Sequence, residues 1–264
     1  MEKKDLSQDY TRPLELSSDE STSFDSSRRR LLQGAVAATA GLSLAGVAGV
    51  SLASALSNTT SVNHTQSQAT AGQLKLFFSI LATGEALAQT FYSNALAHAR
   101  DLRLSHEVFT TLGAIRAEEQ LHFRLALSEG GTPATTHFSF PHGAATFRNP
   151  SLFLQTQQQI EELTSGALLA WINDTASMGL SRVAQLGGQL MQVEGGHRVL
   201  GRVLMGADPF ADWGFAPVVV EHFSDVPNVV KAAGFLSPRS GNDFELRQID
   251  PRFPGLINTT PGKL

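Results

Sequence analysis

Four stretches of the chain repeat apolar residues at steps of three and four, the spacing that places side chains on one face of an α-helix. The first, about Gln73 to Ala99, aligns Leu81, Glu85, Ala88, Tyr92 and Ala95. A second, about Ser105 to Ser128 with Ser105 placed to cap it, aligns Val108, Leu112, Ile115, Glu119, His122 and Ala126, and Gly130, Gly131 and Pro133 stop it. The third, about Pro150 to Ala176, carries a blurred stripe through Ile160, Leu163, Ala167 and Trp171. The fourth, about Ser181 to Met205, aligns Val183, Leu186, Leu190, Glu194, His197, Gly201 and Leu204. Residues 129–150 have no helical phase and form a long connection, so the joins run short, long, short. That pattern predicts an all-α fold, a four-helix bundle over 72–206 with a long crossover between helices 2 and 3. Only a weak alternation at Thr136 to Phe140 suggests strand. Residues 207–264, rich in Pro and Gly, are expected to be an irregular tail wrapping the bundle with one or two short helices.

Upstream, residues 1–26 hold too few apolar positions to fold and are expected to be disordered. Arg28, Arg29, Arg30, Leu31 and Leu32 then precede 23 uncharged residues, Gly34 to Leu56. The large apolar members of that stretch are Val36, Leu42, Leu44, Val47, Val50, Leu52 and Leu56; the rest are mostly small residues that gain little from lipid. Residues 1–55 thus resemble a twin-arginine export signal rather than a permanent anchor, with cleavage after Ala53, Ser54 and Ala55. The resemblance implies passage through the twin-arginine translocation machinery, export across a bacterial cytoplasmic membrane, and the folded, often cofactor-loaded cargo typical of that route. Residues 56–71, rich in Ser, Thr and Gln, read as a flexible linker.

Composition narrows the chemistry. The net charge of −4 is of the wrong sign for gripping phosphate backbones, so nucleic acid is not an expected partner. The absence of cysteine excludes disulfides, thiol catalysis, Cys-ligated zinc and iron–sulfur clusters. Any metal must be held by His, Asp, Glu or backbone oxygen.

Two helices carry glutamate and histidine three residues apart, Glu119 with His122 and Glu194 with His197, where composition predicts fewer than one such pair by chance. On a helix that spacing points both side chains the same way, so both can reach one ion. Each pair sits inside an apolar stripe, where an unpaired carboxylate costs several kcal/mol. Helices 1 and 3 add Glu85 and Glu161 or Glu162. The chain repeats this arrangement: the Glu-x-x-His pairs lie 75 residues apart, and Glu85 and Glu161 lie 76 apart. Paired antiparallel hairpins would gather four carboxylates and two imidazoles around one buried centre. Two divalent cations would cancel its charge, and oxygen and imidazole donors without sulfur favour Fe or Mn.

With Glu85, the run Glu118 to His122, Gly130 to Pro133, Phe138 to Pro141 and Glu194 to His197 on the page, the chain resembles the bacterial ferritin-like domain proteins related to plant desiccation-related proteins, over about residues 72–205. The resemblance implies a ferritin-like fold and favours Glu161 over Glu162, because the family's third-helix acid follows an aliphatic residue and precedes a second acid. Helical phase agrees, since Glu161 leads to Leu168 and Ile172. The family's usual Ala-Tyr pair in this helix is replaced around Ala167 to Trp171. The expected metal ligands are Glu85, Glu119, His122, Glu161, Glu194 and His197, holding two Fe or Mn ions.

Two functions follow as expectations: redox chemistry with O2 or peroxide in oxidative or desiccation stress, or a non-enzymatic stress or surface protein with a structural or vestigial metal site. A homo-oligomer is compatible with either, whereas a closed storage cage sits poorly with the long tail. Among the other histidines, His98 and His106 read as solvated, His137 and His142 as surface residues of the crossover, and His222 as lacking a partner at ligand spacing. Tyr92 reads as a core tyrosine or a phenol beside the centre. Arg116 reads as a partner of a ligand carboxylate or as a solvated residue.

Overall fold

The computed structural model describes residues 64–247 and Ile257, with side chains described from Thr70. The signal segment and residues 56–63 of the expected linker lie outside the described residues. The described chain is mostly helical. Its long helices are α1 (His64–Ala97), α2 (His106–Ser128), α3 (Pro150–Ser177) and α4 (Ser181–Met205); α5 (Val226–Ala232) is short. α1 begins earlier than its apolar stripe, so residues 64–71, expected as linker, are helical. Among the described residues no helix is long and apolar enough to cross a membrane.

Local chemistry sets the helix ends. The Ser105 hydroxyl accepts the Val108 N–H at 3.2 Å, and the Asn149 side chain accepts the N–H groups of Ser151 and Leu152 ahead of α3, whose first residue is Pro150. α4 ends at Gly206, whose φ of 70° is left-handed. The turns 98–105 and 178–180 are short, and α1 packs chiefly on α2 and α3 chiefly on α4, giving two hairpins.

One buried cluster draws on all four long helices: Phe77, Phe78 and Leu81 of α1, Ala126 of α2, Leu168 and Trp171 of α3, and Leu186 and Leu190 of α4. Trp171 is fully buried, its indole N–H donating to the Val183 carbonyl at 3.0 Å. It therefore contributes a large apolar body with a satisfied donor to the core.

The weak alternation in the crossover yields a two-residue strand, β1 (His137–Phe138). It pairs antiparallel with β2 (Phe244–Glu245) from the tail. The tail also sends Phe223 into the core, 5.0 Å between ring centroids from Trp171 and 5.2 Å from Phe77. Asn242 clips the Phe140 backbone at both N–H and C=O, 3.0 Å each. Within the described part of the tail, residues 207–247, α5 and a 3-10 turn at Phe223–Asp225 are the helical pieces.

Candidate metal centre

The helical stripes place Glu85 on α1, Glu119 and His122 on α2, Glu161 on α3, and Glu194 and His197 on α4. All six are buried, none more than 4% exposed. They form two groups whose ligand atoms lie within 4.8 Å of one another: Glu85, Glu119, His122 and Glu194, and Glu119, Glu161, Glu194 and His197. His122 Nδ1 lies 3.6 Å from Glu85 Oε2, 3.7 Å from Glu119 Oε2 and 3.3 Å from Glu194 Oε1. His197 Nδ1 lies 3.7 Å from Glu161 Oε2, 3.1 Å from Glu119 Oε1 and 3.3 Å from Glu194 Oε2. Glu119 and Glu194 therefore each offer one oxygen to either half, while Glu85 and Glu161 each serve one. The two Glu-x-x-His pairs, 75 residues apart in sequence, thus make matching sets of contacts with the carboxylates.

Glu162 stands outside this cluster, its carboxylate accepting from Arg198 Nε at 3.1 Å. Arg198 also reaches Asp212 at 2.8 Å and lies 3.6 Å from the Trp213 ring centroid, which holds the chain after α4 against that helix.

Buried charge sets the protonation of the cluster. Burial drives the Glu85 carboxyl well above its ordinary value and pushes Glu161 up to about 8. Burial acts the same way on Glu119 and Glu194, but the two histidines facing them outweigh it and hold both below the ordinary carboxylate value. Burial disfavours charge on His122 and His197, yet the surrounding carboxylates raise both well above an ordinary histidine. Two ionised carboxylates then balance two imidazolium ions, and the other two acids stay neutral.

Even so, Glu85 Oε1, both Glu119 oxygens, Glu161 Oε2, Glu194 Oε1 and His122 Nδ1 are buried without a hydrogen-bond partner. Polar atoms left in this state cost about 1–3 kcal/mol each, more when charged. Their convergence from four helices could hold a metal ion.

Three residues that the ligand pattern leaves out support the His197 half. Glu118 Oε2 accepts from His197 Nε2 at 2.8 Å, leaving Nδ1 aimed at the centre. Gln157 donates to the His197 carbonyl at 2.9 Å and to the Tyr92 hydroxyl at 3.3 Å, and that hydroxyl donates to Glu161 Oε1. Gln157 fits because residue 201 is glycine: a Cβ there would fall 1.8 Å from Gln157 Oε1. Glu118 carried a signal in sequence only as the neighbour of a ligand; nothing in the pattern marks it as reaching a histidine 79 residues away. Carboxylates that orient ligand histidines are worth about 10–100-fold in metal affinity. Glu118→Ala is accordingly expected to weaken cation binding by about that factor, with Glu118→Gln recovering part of it, as measured by competition with a chelator of known affinity.

The other singled-out residues fall elsewhere. Arg116 is buried, not solvated. His222 pairs with Asp174 at 3.1 Å, and His137 pairs with Asp243 at 2.9 Å. His106 and His142 are exposed, whereas His98 is half-buried, with Nδ1 2.9 Å from the Asn94 carbonyl.

The fold and cluster together define a mostly helical protein with a buried Glu/His site that could hold a metal ion. Comparison with family models, with curated proteins and with solved structures found no match.

Proposed function

We propose that this chain is an exported, ferritin-like four-helix protein that holds two Fe or Mn ions and performs redox chemistry with O2 or peroxide in oxidative or desiccation stress. The observation that carries this reading is the placement of Glu119 and Glu194, each with one oxygen toward His122 and one toward His197. Carboxylates that face two neighbouring positions are what a two-cation site requires. Glu85 and His122 would complete one position, Glu161 and His197 the other. The bound pair would supply valence change to an oxygen species.

This chain's own residues exclude bulk water, set the spacing of the pair and hold protons at Glu85 and Glu161 when the cations are away. The Tyr92 hydroxyl, bonded to Glu161, stands where it can pass a proton to or from that carboxylate. Export by the twin-arginine route would suit a protein whose cations are inserted during folding in the cytoplasm.

Elemental analysis of protein purified without chelator tests the reading. It predicts about two equivalents of Fe or Mn per chain, lost in the Glu119→Ala/His197→Ala double variant, and consumption of peroxide or O2 by the loaded protein. Two cations without such consumption would favour a structural site in a non-enzymatic stress or surface protein. No bound cation, with a melting temperature indifferent to added Fe(II), would remove the centre altogether.

A further inference from the structure

The two halves of the centre match in their ligands but not in their surroundings. Around Glu161 and His197 stand Tyr92, Gln157 and Glu118. Displaced by the repeat, these three positions become Leu168, Leu81 and Val193. The Glu161 half is thus embedded in hydrogen bonds, whereas Leu81 and Leu168 share a pocket wall with Glu85.

That apolar side is hollow. A partly open pocket of about 50 Å³ lies between α1, α3 and the tail. Leu81 and Leu168 line it, together with Ile160, Phe235 and the half-buried Val226 and Val230 of α5. Among the described residues of its wall the one ionisable side chain is Glu85, whose Oε1 is buried and has no hydrogen-bond partner.

Gly84, next to Glu85, also lines the pocket. Glycine inside a helix costs roughly 1 kcal/mol against alanine, and is usually explained by a close neighbour or an unusual φ. Neither applies: a Cβ at Gly84 would meet nothing within 4 Å. The missing side chain leaves open space beside the acid.

We propose that this pocket binds a small, uncharged, apolar molecule, the size of a short alkyl chain or a single aromatic ring, and brings one end of it to the Glu85 side of the centre. Mostly apolar walls with one acid at the end suit such a ligand, and α5 supplies part of the enclosure. The claim rests on the two-cation reading only for what the ligand meets at that end; binding itself needs no cation.

Toluene added to the metal-free, full-length chain therefore tests the pocket separately from the centre. The expected result is a saturable shift of the methyl resonances of Leu81, Leu168, Val226 and Val230 in ¹H–¹³C spectra. Gly84→Leu, which fills open space, should weaken toluene binding by more than about tenfold, or roughly 1.4 kcal/mol, while leaving cation uptake unchanged. Val230→Trp, a change at the rim of the pocket on a short surface helix, should do the same and serves if the Gly84 variant does not fold. No saturable shift in the unaltered chain, or toluene binding undiminished in the folded variants, would overturn the proposal. Toluene binding by a chain that takes up no cation would sustain the pocket and remove the centre; cation uptake without toluene binding would do the reverse.

Discussion

Adding Mn(II) or Fe(II) to the metal-free chain at pH 7.5 is expected to raise its melting temperature by roughly 10–20 °C. A cation present at a hundred times its dissociation constant stabilises the folded state by about 2.7 kcal/mol, so two contribute about 5 kcal/mol. In a domain of this size each kcal/mol moves the midpoint by about 2–4 °C. The gain should depend on pH. Without cations, Glu85, Glu161, His122 and His197 hold protons more tightly in the folded than in the unfolded chain, Glu161 up to about 8. The folded state then binds more protons, so its stability falls as pH rises through these values. Glu119 and Glu194 act oppositely: their contribution is present above the ordinary carboxylate value and is lost only on acidification. The metal-free chain should thus melt at lower temperature at pH 9 than at pH 6, and cations should reverse the decline. Glu119→Ala, which takes one oxygen from each half, should abolish most of the cation-induced rise. Scanning calorimetry from pH 6 to 9 with and without Mn(II) reads all three effects.

Cation uptake at pH 6.5 is expected to release close to four protons per chain, about two per cation. Metal ligation requires deprotonated carboxylate and neutral imidazole, so each protonated ligand must surrender its proton to bind. Before binding, the two imidazolium ions offset the Glu119 and Glu194 carboxylates while Glu85 and Glu161 are neutral. Afterwards, four carboxylates face two divalent cations and the charge again sums to zero. The release should shrink above pH 8 as Glu161 ionises unaided. Calorimetric titration in two buffers of different ionisation enthalpy yields the number directly. Release of less than about one proton would mean that the cations bind elsewhere, at exposed carboxylates already ionised.

Much of this was legible in the residue order because the stripes that bury helices also carry the acids. Glu119 and His122 lie in phase with Leu112, Ile115 and Ala126, and Glu194 and His197 with Leu186 and Leu190, so the faces that pack are the faces that gather the cluster. The blurred third stripe left Glu161 and Glu162 to be separated by phase. In space Glu161 joins the cluster and Glu162 meets Arg198, a partner that helical periodicity cannot reveal.

The start of α1 was hidden for a different reason: residues 64–71 have no apolar rhythm to read. Glu118, Gln157 and Gly201 act through contacts between elements far apart in sequence. The tail's strand was not legible, since a two-residue strand leaves no alternation. One of the tail's anchors, Phe223, is an aromatic residue that packs against Phe77 and Trp171, partners far away in sequence.

The central claim is that four acids and two imidazoles at one depth form a cage for paired cations. Anomalous diffraction from a crystal grown with Mn(II) tests it most directly. The account predicts two peaks about 4 Å apart, between the Glu119 and Glu194 carboxylates, one beside His122 Nδ1 and one beside His197 Nδ1. Manganese seen only on surface carboxylates, with the buried cluster empty at saturating Mn(II), would contradict it.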